Sequence, residues 1–209
     1  MKIKICTPVL GKTLKEFLKN LDKVQEISDM VELRVDKIKN LSSQDLILIR
    51  KKTRKESILT GIKKELITKA FELGFDYVDV ELSQISGSKL TLKDKARIIL
   101  SFHDFEKTPG LKELTEMINN MRKFKTGVIK VATMVKNDED LGNLFRLILA
   151  KKKEEKIIVV GIGGKGRLTR ILGPILGSFL TFASTPFGKT ASGQIDLNEM
   201  LNIYKTLNY

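Results

Sequence analysis

The chain of 209 residues has one cysteine, one histidine, no tryptophan and four prolines. A single thiol, Cys6, excludes an internal disulfide framework and fits a reducing compartment. Set between Ile5 and Thr7, it reads as a buried structural thiol rather than a nucleophile. One histidine and one cysteine cannot supply a zinc site, so no metal is expected. No apolar run approaches the roughly 20 residues that span a bilayer. The N-terminus runs straight into a strand-like segment, Met1-Lys-Ile-Lys-Ile-Cys6, without a long apolar leader. The expectation is a cytoplasmic protein with no membrane partner.

Acidic residues are also scarce, 25 against 38 basic, which leaves a net charge of +13. Such an excess asks for an anionic partner, and nucleic acid is the obvious one. The distribution argues otherwise. The densest runs, Lys51-Lys-Thr-Arg-Lys55 and Lys151-Lys-Lys-Glu-Glu-Lys156, fall at the ends of expected helices. There cations complement the helix dipole and face water. No nucleic-acid partner is expected, although a basic surface can speed the arrival of an anionic substrate. A hydrophobic content of 42% in this length suffices for one core, so a single domain over residues 1–209 is expected.

What is present is an alternation of β-rich runs and amphipathic helical stretches. Strand-like runs occupy residues 2–6, 31–35, 57–60, 77–80, 97–102, 127–132, 157–161 and 179–182. Between them, Thr13 and Glu16 form a capping-box pair ahead of an apolar stripe of Leu14, Phe17, Leu18, Leu21, Val24 and Ile27. Leu111, Leu114, Met117, Ile118, Met121 and Phe124 make a second stripe. Gly74 is placed to end a helix, and Asp196 to start the last one. Strands that alternate with helices imply parallel pairing with right-handed crossovers. Eight such units in about 200 residues suit a compact (β/α)8 TIM barrel of α/β class. An open doubly wound sheet is the alternative, but Thr7-Pro-Val-Leu-Gly11 lacks its glycine-rich first turn.

In a barrel the active site lies at the C-terminal strand ends, and the residues expected there are not those that packing selects. Strand two ends Glu32-Leu-Arg34-Val-Asp36, strand four Asp79-Val-Glu81, and strand five runs into His103. Gly127-Val-Ile-Lys-Val-Ala132 is apolar except for Lys130. A lysine in an apolar wall loses solvation as a cation, which lowers its pKa and frees the amine to attack a carbonyl. The competing reading is a structural lysine paired with Glu32 or Glu81. The sole imidazole, His103, is either a packing residue or the group that moves protons near neutral pH. Gly161-Ile-Gly-Gly-Lys-Gly-Arg-Leu-Thr-Arg170 reads as an anion site, with Lys165, Arg167 and Arg170 supplying charge, or as a surface loop. Thr185-Pro-Phe-Gly-Lys-Thr-Ala-Ser-Gly-Gln194 has the length of a lid.

Several segments, in order, resemble type I 3-dehydroquinate dehydratase over nearly the whole chain. They include Glu32-Leu-Arg-Val-Asp36, Asp79-Val-Glu-Leu82, Ser101-Phe-His-Asp-Phe105, Lys130-Val-Ala-Thr-Met134, Leu168-Thr-Arg-Ile-Leu-Gly173 and Gly193-Gln-Ile195. The resemblance implies a cofactor-free dehydration of 3-dehydroquinate to 3-dehydroshikimate in aromatic biosynthesis, by a homodimer. Lys130 would form an imine with the substrate ketone and His103 would shuttle protons. Glu32 and Arg34 would contact substrate hydroxyls, and Arg170 the carboxylate. Thr190 and Gln194 would close from the lid, with Phe182 as an aromatic wall and Asp79 or Glu81 polarising the site. This sequence departs from the pattern twice. Thr60-Gly-Ile-Lys-Lys-Glu65 lacks an arginine after strand three, with Lys63 or Lys64 as replacement charge and Glu65 as the expected carboxylate orienting His103. Thr190-Ala-Ser-Gly-Gln194 lacks the family's lid proline, which implies a less preorganised lid. A class I aldolase, also a lysine-imine barrel, and a non-enzymatic nucleic-acid-binding barrel are the rival readings.

Overall fold

Period two governs the sheet and period 3.6 the layer around it. A computed structural model describes residues 3–85 and 91–209. Its strands are β1 (Ile5–Val9), β2 (Met30–Arg34), β3 (Glu56–Thr60), β4 (Tyr77–Glu81), β5 (Ile98–Asp104), β6 (Val128–Met134), β7 (Ile157–Ile162), β8 (Thr181–Ser184) and β9 (Ile195–Asp196). All pairings between them are parallel, in the order β7-β6-β5-β4-β3-β2-β1-β8-β9. The sheet curls into a barrel-like form.

Alternate residues of each strand point to opposite layers. Cys6, Met30, Ile58, Ile99, Val128, Ala132, Ile158, Val160 and Phe182 turn inward and form one buried cluster. Their neighbours Val31, Leu33, Leu59, Val80, Leu100, Ile129, Val131 and Val159 turn outward and pack under the helices. These are α1 (Leu14–Ile27), α2 (Ser43–Lys52), α3 (Ile67–Leu73), the short α4 (Leu82–Ile85) and α5 (Leu92–Lys95), α6 (Leu111–Arg122), α7 (Asp138–Leu149), α8 (Arg167–Ile175) and α9 (Leu197–Thr206). Phe17, Leu21 and Val24 of α1 are fully buried, and each such burial stabilises by about 1.5–3 kcal/mol. Ile27, at the end of the same stripe, is half exposed.

Local signals act largely as the residues suggest. Thr13 accepts from the Glu16 N–H, while the Glu16 carboxylate reaches one residue further back, to the Lys12 N–H. Gly74 ends α3 at φ +79°. The bounds of the eight expected strands shift by one to three residues, a short ninth strand is added, and two of the shifts have a clear cause. β1 extends through Pro8, which the ladder to β8 permits because it ends at Cys6, so the missing N–H removes no rung there. β8 starts two residues later than expected, since Phe179 is used elsewhere.

That use is the barrel seam. Among the described residues no ladder joins β7 to β8. Instead the Phe179 N–H donates to the Ile157 carbonyl at 2.7 Å at the lower end. At the upper end the Gly163 N–H donates to the Ser192 carbonyl at 3.3 Å, and β9 pairs with β8. The segment from 185 to 194, expected as a lid, is thus stitched into the seam at its C-terminal end.

Candidate active site

A cavity of about 540 Å³ opens at the C-terminal strand ends. It is lined by Glu32 and Arg34 of β2, Glu81 of β4, His103 of β5, Lys130 of β6, Arg170 of α8, Phe182 of β8, and Thr190 and Gln194 of the lid. Strand parity explains the convergence. Lys130 and Ala132 share the inward face of β6, and in register they sit beside Ser101 and His103 of β5. Glu81 sits beside Ser101 from the other side.

Lys130 is 6% exposed, and its Nζ donates to Asp79 Oδ2 at 2.7 Å, a partner that is itself buried. The sequence expectation was a depressed lysine pKa, with Glu32 or Glu81 as partner in the structural reading. Burial does pull the pKa down, but Asp79 and then Glu32 push it up, and Lys130 titrates above the ordinary lysine value. On Asp79 burial acts upward, Lys130 and His103 act downward, and the net is a lowered carboxyl. In the free protein the pair is therefore ammonium and carboxylate. The Phe182 ring faces the same nitrogen, 5.2 Å from its centroid.

His103 Nδ1 lies 2.6 Å from Glu81 Oε2, and the His103 backbone N–H donates to Glu81 Oε1 at 3.3 Å. A carboxylate only accepts, so Nδ1 carries the hydrogen and Nε2 remains the basic nitrogen. Phe105 stacks on the ring at 5.8 Å between centroids. Glu65, expected to orient this histidine, does not line the cavity; it is exposed on the short turn Lys64–Leu66. Register gives the position to Glu81, because β4 is the neighbour of β5 whereas the turn after β3 lies one strand further away. Lys63 and Lys64 are exposed on the same segment and outside the lining, so neither brings charge to the cavity in place of an arginine.

Arg170 is 2% exposed, and its Nε has no hydrogen-bond partner among the described residues. Desolvation lowers its pKa to about 10, against an opposing pull from Glu32. A buried, incompletely satisfied guanidinium in a cavity wall is suited to a planar anion such as a carboxylate. The other cations of the glycine-rich loop turn outward. Lys165 pairs with Asp138 at 2.9 Å and Arg167 with Glu199 at 3.2 Å, both near the surface. Gly161 and Gly166 serve close backbone packing. A Cβ on Gly161 would lie 2.7 Å from the Gly166 Cα, and the Gly161 N–H is spent on Thr169 Oγ1. Only Arg170 brings this loop's charge into the cavity.

Arg34 is held by Asp36 through two bonds of 2.8 Å. Asp36 is on the turn Val35–Lys37 after β2 and serves to fix Arg34 rather than to line the cavity. Glu32 is 4% exposed. In the lid, Gln194 Oε1 accepts from the Thr190 N–H at 2.7 Å, and Gln194 Nε2 donates to Thr190 Oγ1 at 3.1 Å. This internal clasp restrains the loop where no proline does. The sequence reading missed Thr60, Phe105 and the apolar lining of Ala132, Val160 and Ile162. Inward parity on β3, β6 and β7 was the signal that pointed to all but Phe105.

The family model for type I 3-dehydroquinase matches residues 5–209. A 3-dehydroquinate dehydratase of Coxiella burnetii is 37% identical, covering 97% of this chain and 92% of its own. That of Methanocaldococcus jannaschii is 35% identical, with 98% and 99% covered. Among solved structures, the 3-dehydroquinate dehydratase of Geobacillus kaustophilus HTA426 superposes with a TM-score of 0.88 at 22% identity, covering 100% of this chain and 92% of the other. That of Aquifex aeolicus VF5 gives 0.77 at 26%, with 98% of each chain covered.

Proposed function

The chain belongs to the type I 3-dehydroquinase family, and on that premise we propose that it dehydrates 3-dehydroquinate through an imine on Lys130. Its activity is that of a 3-dehydroquinate dehydratase, a hydro-lyase of the shikimate pathway. The observation that carries the imine reading is the meeting, in one cavity, of a buried lysine and the only imidazole of the chain.

Arg170 takes the substrate carboxylate, and Glu32 and Arg34 take ring hydroxyls. Thr190 and Gln194 close from the lid, and Phe182 lies against the ring. The Lys130 ammonium first loses a proton, and Asp79 at 2.7 Å is the acceptor in reach. The amine then adds to the ketone carbon. The carbinolamine oxygen leaves as water, taking one proton from the nitrogen and the other from Asp79, which becomes a carboxylate again while His103 stays neutral. The resulting iminium draws electrons from the adjacent C–H bond, whose proton His103 Nε2 accepts. The electron pair collapses to an enamine and then expels the β-hydroxyl, which takes the proton back from His103 and departs as water. Hydrolysis of the conjugated iminium releases 3-dehydroshikimate and restores Lys130. Every proton in this sequence is moved by the protein's own side chains and water, so the reading needs no cofactor. Family resemblance extends the reading to a cytoplasmic homodimer, which sedimentation velocity tests directly.

Borohydride reduction in the presence of 3-dehydroquinate, followed by mass spectrometry of peptides, is the deciding experiment. The adduct mass is expected on Lys130 and is expected to vanish in Lys130→Ala. An adduct elsewhere, or none with active enzyme, overturns the mechanism.

A further inference from the structure

Between the two charge pairs of the cavity stands one hydroxyl. Ser101 is fully buried in β5, and its Oγ lies 2.6 Å from Asp79 Oδ1 and 3.2 Å from Glu81 Oε2. Asp79 holds Lys130, and Glu81 holds His103. A serine hydroxyl carries one hydrogen and can satisfy one carboxylate at a time. The shorter distance marks Asp79 as its acceptor in the free protein, where Asp79 also faces the ammonium.

We propose that Ser101 is a positioning residue that keeps Asp79 committed to Lys130 and Glu81 committed to His103, and so couples the charge of the nucleophile to the basicity of the proton shuttle. This rests on the reading of Lys130 and His103 above. Without the hydroxyl, two carboxylates from one strand face each other with no donor between them. Like charges so placed repel. Asp79 is held by Lys130, so Glu81, the more exposed of the two, is the one that turns aside. A Glu81 carboxylate turned aside no longer stabilises the His103 imidazolium. The other charged groups facing this cluster are Glu32 and Arg34 from β2 and Arg170 from α8, and none of them is bonded to Ser101 or His103. When Lys130 becomes an iminium, its positive charge still calls the hydroxyl to Asp79. Glu81 is then fully available to His103 at the step where His103 must act as a base.

The single histidine makes this measurable, because one imidazole C–H resonance titrates without overlap. In Ser101→Ala the His103 midpoint is expected to fall by about one pH unit. The acid limb of kcat should move with it, kcat should drop roughly tenfold or more at neutral pH, and KM should stay within about twofold. Ser101→Thr retains the hydroxyl and should restore the midpoint and kcat together. Should Ser101→Ala fail to fold, Ser101→Cys keeps the volume with a weak donor and should show the same direction of shift. A His103 midpoint unchanged by loss of the hydroxyl overturns the proposal. Borohydride trapping of the wild type is run in parallel. Trapping at Lys130 with an unmoved midpoint defeats only the Ser101 inference, whereas absence of trapping defeats the imine reading itself.

Discussion

Replacing Arg170 by methionine should move stability and substrate binding in opposite directions. In the free protein the guanidinium is 2% exposed and its Nε is unpartnered. Burial takes its pKa down from the ordinary arginine value to about 10. That fall corresponds to roughly 3 kcal/mol paid to hold the cation out of water. For a base with a lowered folded-state pKa the cost is complete below about pH 10 and is relieved as pH rises from there towards the ordinary arginine value. At neutral pH it is present in full. Methionine keeps much of the apolar stem and removes the charge, so Arg170→Met should melt at or above the wild-type temperature. The gain is about 2–4 °C for each kcal/mol recovered in a chain of this size. Binding should suffer in the other sense. Removing the partner of a desolvated carboxylate costs about 2–5 kcal/mol, so KM for 3-dehydroquinate should rise roughly 30-fold or more, with kcat changed less. Calorimetry gives the first quantity, and initial rates of product enone absorbance give the second. A variant that melts well below wild type and keeps its KM refutes the assignment, because Arg170 is then a structural cation.

The remaining predictions concern the shuttle, the lid and one peripheral ion pair. His103→Ala should still be trapped by borohydride at Lys130 but lose about 10²–10⁴ in kcat; turnover near wild type excludes the proton-shuttle role. Gly193 sits at φ +80°, and a Cβ there would collide with the Gly163 carbonyl oxygen. Gly193→Ala should therefore unpick the lid from the seam and raise KM several-fold with Lys130 trapping retained; an unchanged KM means the lid does not contact substrate. The Glu155 carboxylate accepts from Arg122 Nε at 2.7 Å and Nη2 at 2.8 Å, and this holds its pKa below the ordinary range. A lowered folded-state pKa gives stability that is present above the unfolded value near 4.3 and is lost as pH falls through the folded value. Arg122→Ala should cost about 1 kcal/mol at pH 7, with the gap to wild type closing in acid; a gap that persists below pH 3 assigns the loss to packing.

Much of the architecture is legible from periodicity because the barrel's two layers are both hydrophobic but out of phase. Val128, Lys130 and Ala132 fall on one face and Ile129 and Val131 on the other whatever the strand's neighbours are. The sequence alone thus determined the alternation of strands and helices, the inward face of each strand and the chemical inventory of the cavity. Lys130, His103, Glu32 and Arg34 all reach one cavity for that reason, and Arg170 joins them from α8. It did not determine who pairs with whom. Asp79 rather than Glu32 or Glu81 meets Lys130, and Glu81 rather than Glu65 meets His103. Those pairings depend on strand order and register, which set distances between residues far apart in the chain. The sign of the Lys130 shift follows from the same fact. Burial in an apolar strand lowers a lysine pKa, but a carboxylate at 2.7 Å from another strand reverses it, and only the folded sheet brings the two together.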